Sequence, residues 1–339
     1  MNNFKKIGMT ALAASLVSTS VFAGEMAVTG SAKINYEIYS GVEQDSSKSF
    51  SMGNQLTFSG SGELDNGMNV ALSFVLDQGD DETDTAAGAK GSPFDSHSVS
   101  ISSDAMGTLK FHGEGGDSAQ NAVGDTAAGN IWDNFDSAGT VLKESGMSTN
   151  SIFYTLPTMV DDLTVTASYS PNKGLDESDS AYALSYAGVD GLTVSYGKGS
   201  SDGDAARGVT AANQATSLTD GNADTTTMKL SYAYGSLTVA YSDHDHDSSK
   251  ADGTNDQEAT SWKVSYTVSD AISVSYATEE IDSKASATNE DAEYTKIVTS
   301  YTSGGMTISA NYQEAENIDF STSVNQDKEY YGLSLSFAF

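Results

Sequence analysis

The densest run of ligand-type side chains is Asp243-His244-Asp245-His246-Asp247, where imidazoles and carboxylates together could take a divalent metal. It is read as part of a polar outer connection, 243–259, so a solvated acidic loop is the expected state. A second run, Asp80-Asp81-Glu82-Thr83-Asp84, could collect Ca²⁺ through several carboxylates, although it lacks EF-hand spacing. No resident cofactor is expected, and Ca²⁺ on acidic outer loops is the candidate ion. Gly113, Gly115 and Gly116 follow a strand pattern but open no helix, which argues against a phosphate cradle. A serine nucleophile needs a basic partner, and the four histidines carry no companion signature for it. With no cysteine there is no thiol nucleophile, thiolate metal site or disulfide framework. The chain is not expected to be an enzyme.

Charge points away from nucleic acid as well. Across 339 residues, 47 acidic against 16 basic side chains give a formal net charge of −31, which repels phosphate backbones. Basic residues are therefore informative where they occur. Lys33, Lys110, Lys229, Lys263 and Lys296 all fall on the polar face of strand patterns, and His112 follows Lys110 on the same face. The single arginine, Arg207, lies in a loop, so a compact arginine cluster is not expected. The longest connection, 113–149, carries Glu114, Asp117, Asp125, Asp133, Asp136 and Glu144, with Trp132 and Phe135 as expected packing anchors.

The elements that must position these residues are strands. Residues 1–23 read as a secretory signal peptide: Lys5-Lys6, an apolar stretch from Ile7 to Val21, then Val21-Phe22-Ala23 as the cleavage site. Its removal leaves 14 basic and 47 acidic residues, a net charge of −33. From Met26 onward apolar and polar residues alternate, as in Ala32, Ile34, Tyr36 and Ile38 against Ser31, Lys33, Asn35 and Glu37. The pattern recurs to the C-terminus in about sixteen segments, more than an ordinary sandwich uses. Between them tight turns such as Asp65-Asn66-Gly67 and Ser303-Gly304-Gly305 alternate with long polar connections, including 78–96, 113–149, 199–224, 243–259 and 279–292. Short turns at one rim and long loops at the other are the pattern of an outer-membrane barrel. Tyr186, Tyr234, Tyr266 and Tyr301 stand before short turns, and Tyr196, Tyr241, Tyr276 and Tyr312 before long loops. Two tyrosine belts a strand apart match the aromatic girdles of two membrane interfaces. The polar face, mostly Ser, Thr, Asn and Gly, is expected to line water.

At the C-terminus Tyr331, Leu333, Leu335, Phe337 and Phe339 alternate with small or polar partners, and Phe339 is the last residue. Such a strand looks like the assembly signal of bacterial outer-membrane barrels. With the signal peptide and the strand count, the chain resembles the trimeric general diffusion porins of Gram-negative bacteria, especially the alphaproteobacterial type. The resemblance implies an all-β transmembrane antiparallel barrel over 24–339, a homotrimer in the outer membrane, contact with lipopolysaccharide, and insertion by the barrel assembly machinery. It implies that 113–149 folds into the lumen as the constriction. Glu114, Asp117, Asp125, Asp133 and Asp136 would then oppose Lys33, Lys110, Lys229, Lys263 and Lys296. The expected function is a water-filled pore for ions and small hydrophilic solutes, with a preference for cations set by the acidic mouth. Alternatives are a structural or adhesive barrel that binds a partner through its acidic outer loops, and a soluble secreted β protein.

Overall fold

Alternation at every second residue needs one wet and one dry surface, and a sheet that closes on itself provides both while leaving no open edge. The computed structural model describes residues 26–41, 48–77, 94–135, 142–147, 149–171, 178–202, 222–248, 256–283, 290–322 and 327–339. Its sixteen strands are β1 Met26–Gly41, β2 Lys48–Glu63, β3 Asn69–Asp77, β4 Phe94–Ser103, β5 Gly107–Glu114, β6 Ser151–Thr155, β7 Leu163–Ser170 and β8 Asp179–Val189, followed by β9 Leu192–Asp202, β10 Asn222–Tyr234, β11 Leu237–Asp247, β12 Gln257–Ser269, β13 Ile272–Ser283, β14 Ala292–Ser303, β15 Met306–Glu316 and β16 Lys328–Ala338. Each pairs antiparallel with its chain neighbours, and β16 pairs with β1 to close the barrel. Residues 1–23, expected to be a signal peptide, lie outside the described residues.

Closure is completed by the last residue. The Phe339 N–H donates to the Gly30 carbonyl at 2.9 Å, and the Gly30 N–H returns a bond to the Phe339 carbonyl at 2.7 Å. A Cβ on Gly30 would stand 2.5 Å from the Phe339 ring, so only glycine lets the terminal ring lie flat on β1. Tight turns use left-handed glycines where neighbours crowd. Gly191 has φ +73°, and a Cβ there would meet the Ala233 carbonyl at 2.2 Å.

The two faces follow the alternation. Tyr39 and Tyr330 pack inward against each other, which sends Ile34, Tyr36, Leu333, Leu335 and Phe337 to the lipid face. Tyr186, Tyr234, Tyr266 and Tyr301 are exposed there near the short-turn rim, and Tyr276 and Tyr331 near the long-loop rim. At the long-loop rim Tyr241 packs on Trp262 with ring centroids 4.5 Å apart, and Tyr312 on Tyr331 at 4.9 Å.

The strands run further at the long-loop end than alternation suggests. β9, β10, β11, β12 and β13 take up parts of the connections expected at 199–224, 243–259 and 279–292. Beyond the aromatic belt both faces of the sheet are polar, so the ladder continues without an apolar period to reveal it. The expectation of a loop at Asp243–Asp247 is therefore corrected. These residues end β11, and the strand period sends buried His244 and His246 into the lumen and Asp243, Asp245 and Asp247 to the other face. Imidazoles and carboxylates on opposite faces cannot share one ion. The second acidic run, Asp80 to Asp84, lies outside the described residues.

Candidate pore constriction

The connection after β5 folds into the barrel and is seated on its wall by side chains from a series of strands. The Ala119 N–H donates to Ser168 Oγ of β7 at 2.8 Å. Gln120 Nε2 donates to Thr227 Oγ1 of β10 at 2.8 Å. The Ala127 N–H reaches Ser242 Oγ of β11 at 2.8 Å, and the Ala128 N–H reaches Ser261 Oγ of β12 at 3.2 Å. Glu279 of β13, only 2% exposed, accepts from the Trp132 N–H at 3.0 Å, the Ile131 N–H at 3.3 Å and the Thr126 hydroxyl. The returning limb is fixed in the same way. The Lys143 N–H donates to Gln257 Oε1 at 2.8 Å, and its carbonyl accepts from His244 Nε2. The two limbs are joined where Gln120 Oε1 accepts from the Ser145 N–H at 3.0 Å and from Ser145 Oγ at 2.7 Å. Two glycines make room: a Cβ on Gly197 would meet Val123 Cγ2 at 2.8 Å, and one on Gly199 would meet Ser145 Oγ at 2.0 Å.

Apolar packing completes the seat. Ala128, Ile131, Phe135 and Leu142 of the loop bury against Ala259, Ala277, Ile281, Ala292, Tyr294 and Ala315 of the wall, with Trp132 half-buried beside them. Phe135 and Tyr294 lie 5.9 Å apart by ring centroids. Part of the lumen face is thus a dry patch made for the loop, where sequence suggested water throughout. Alanine carries too little surface to mark a buried face within a polar strand pattern.

All five lysines project into the lumen. Lys229 shares its face with Thr227, Lys263 with Ser261 and Lys296 with Tyr294, while Lys110 stands beside buried His112 and Lys33 two places from Asn35. Lys229, Lys263 and Lys296 belong to the wall sector that carries the loop. Lys229 Nζ donates to the Asp125 carbonyl at 2.7 Å. Electrostatic neighbours then run Lys229 to Lys263, Lys263 to Lys296 and Lys296 to Lys33, with Asp133 also near Lys296. These three lysines therefore flank the loop rather than face it across the lumen, because the loop lies against its own wall.

The acids are dispersed. Asp117 is tied within the loop, accepting from the Ser118 N–H at 2.9 Å and from Asn121 Nδ2. Asp125 is exposed and accepts from Asn130 Nδ2 at 2.9 Å. Asp133 is exposed within the short 3-10 turn Ile131–Phe135. Glu114 pairs with His97 across a register shift, its carboxylate 4.0 Å from the imidazole, and this turns it away from the lumen-facing set. Asp136 lies outside the described residues. The wall residues Ser168, Thr227, Ser242, Ser261, Gln257 and Glu279 were not singled out by sequence reasoning. Glu279 and Gln257 fell in the connections expected at 279–292 and 243–259, and the four hydroxyl residues look like any others on a polar face.

A closed barrel of this strand count encloses an aqueous channel, and a loop seated on its inner wall narrows it. Fold and site together define a passive transmembrane pore. The chain belongs to the Gram-negative porin family, which it matches over residues 8–339. Membership makes it an outer-membrane general diffusion channel, not an enzyme family, and homologous porins are oligomeric, with trimers known. Solved structures agree in fold. An alanine-to-lysine variant of the Rh. blastica porin superposes with TM-score 0.64 at 15% identity, covering 93% of this chain and 100% of that one. A Rhodopseudomonas blastica porin with two introduced tryptophans gives the same four values. A variant of that porin with four charged residues changed to alanine gives TM-score 0.63 at 15% identity, with the same coverage. No curated protein matches the chain.

Proposed function

We propose that the mature chain, 24–339 after removal of 1–23, forms a homotrimeric diffusion pore that favours cations among ions and small hydrophilic solutes. The observation that carries the preference is the acidic long-loop rim. On the outer face of the strand ends that ring the mouth, Asp245 stands opposite Glu258, Glu258 opposite Asp282, Glu293 opposite Glu316, and Glu314 opposite Glu329. Added to the net charge of −33, this rim raises the local cation concentration at the mouth. At the constriction Asp117, Asp125 and Asp133 favour cations, and the lysines oppose them. The terminal strand from Tyr331 to Phe339 would be read by the barrel assembly machinery, and Ca²⁺ would associate with the acidic rim beside lipopolysaccharide. A reversal potential in a dilute KCl gradient tests the preference. A cation-selective sign supports it, and an anion-selective sign overturns it while leaving the channel in place. A folded barrel with no conductance step would favour the structural or adhesive alternative.

A further inference from the structure

We propose that Glu279 is the positioning residue of the constriction, the wall side chain that fixes how far the connection after β5 stands into the lumen. The inference rests on the channel activity of the family and is independent of the ion preference proposed above.

Glu279 differs from the other wall residues that hold the loop. Ser168, Ser242, Ser261 and Gln257 each accept one backbone N–H from it. Glu279 gathers three donors, and they come from both ends of the segment 126–132. One carboxylate therefore clamps the turn on itself as well as onto β13. Thr126 extends the clamp, because its hydroxyl also accepts from the Asn130 N–H at 2.9 Å, while its own N–H donates to Asn130 Oδ1 at 2.9 Å. Glu279 is almost fully buried, so water does not readily replace the lost acceptor. Ser242 and Ser261 bond each other at 2.8 Å, so either can lose its loop contact and remain satisfied. Glu279 is also placed to feel the lysine row, since Lys296 is its electrostatic neighbour.

Removal of this carboxylate leaves the buried Ile131 N–H and the part-buried Trp132 N–H without an acceptor. The segment then regains partners by moving into the water of the lumen. Ile131 and Phe135 still bind the apolar patch, so the loop shifts between two seats and is not released.

Single-channel recording with neutral polymers of graded size tests this. The set is Glu279→Ala, Glu279→Gln, the loop-side Thr126→Val, and Ser242→Ala as a comparison. In Glu279→Ala, occupancy of a second conductance level should rise tenfold or more, equivalent to about 1.4 kcal/mol, and the polymer size excluded should change. Heat-modifiable migration should stay as in the parent, which a purely structural defect would alter. Glu279→Gln keeps one acceptor and should fall between parent and Glu279→Ala. Thr126→Val should shift the same way, and in the Glu279→Ala background it should add less than it does in the parent, because only its bond to the Asn130 N–H is left to lose. Parent-like traces and exclusion in a folded Glu279→Ala barrel overturn the proposal, as does an equal effect in Ser242→Ala. If Glu279→Ala does not fold, Thr126→Val decides, and parent-like behaviour there overturns the proposal. Absence of conductance in the parent would instead count against the channel itself.

Discussion

Lys263 and Lys296 project into the lumen without taking part in the hydrogen bonds that seat the loop, so their charge can be removed with little disturbance. A unit charge about 7 Å from an ion path in water contributes about 0.6 kcal/mol, a factor of about 2–3 in local ion concentration. Because cations gain and anions lose by that factor, Lys263→Gln or Lys296→Gln should raise the cation-to-anion permeability ratio by about its square, roughly 4–9-fold at low salt, read as a reversal potential. An unchanged ratio in both variants would show that neither lysine faces the path. Phe339 acts at the same scale. Its backbone closes the barrel on Gly30 and its ring covers that glycine. Deleting Phe339, or changing Gly30→Val, should lower the amount of folded protein in the outer membrane, measured by fractionation and heat-modifiable migration. Undiminished folded protein after both changes would remove the terminal residue from assembly.

Strands impose a sharper rule, because neighbouring residues meet different solvents. Val194 lies opposite Leu230 and Tyr186 on the lipid face, while Ser195 lies opposite Lys229 and bonds Ser185 at 3.0 Å on the lumen face. Val239 and Thr238 divide in the same way, with Val264 opposite the first and Ser265 opposite the second. Arginine at Val194 or Val239 should cost about 2–4 kcal/mol near mid-bilayer, whereas arginine at Ser195 or Thr238 should be tolerated. Equal losses in denaturant unfolding of the refolded barrel would mean the register is wrong. The loop element has its own test at Gly199, where an added Cβ would strike Ser145. Gly199→Val should displace the returning limb and alter conductance while leaving membrane insertion intact.

For the whole molecule the acidic rim is the dominant electrostatic feature. Like charges directly opposite on neighbouring strands destabilise a sheet. The tyrosine belt below softens this locally, with Tyr331 OH donating to Glu329 at 3.2 Å and Tyr241 OH to Asp243 at 3.3 Å. Raising salt from about 0.01 M to about 0.1 M shortens the screening length from about 30 Å to about 10 Å. The detergent-solubilised protein should then unfold at a higher temperature, and the cation preference should decline over the same range. The two observables report the same charges: changing rim acids such as Glu258 or Glu293 to Gln should raise the unfolding temperature at low salt and weaken the preference. A salt-independent unfolding temperature would show that the opposed carboxylates are already compensated.

Strand number, inside-outside register, both aromatic belts and the terminal strand were legible in the sequence, because each is written in a period of two or in the order of short and long connections. Period alone placed Lys33, Lys110, Lys229, Lys263 and Lys296 on the lumen face. It could not tell where the ladder ends once both faces are polar, which is why Asp243 to Asp247 read as a loop. The position of the loop against the wall was also beyond it. That position depends on Ser168, Thr227, Ser242, Ser261 and Glu279, residues far apart in the chain that come to adjoining places only when the sheet closes. Small hydroxyls and alanines on a polar face look the same in sequence whether they meet water or a folded loop. Barrel closure and the seating of residues 115–135 and 142–147 decide between those two partners, and with them which charges border the pore.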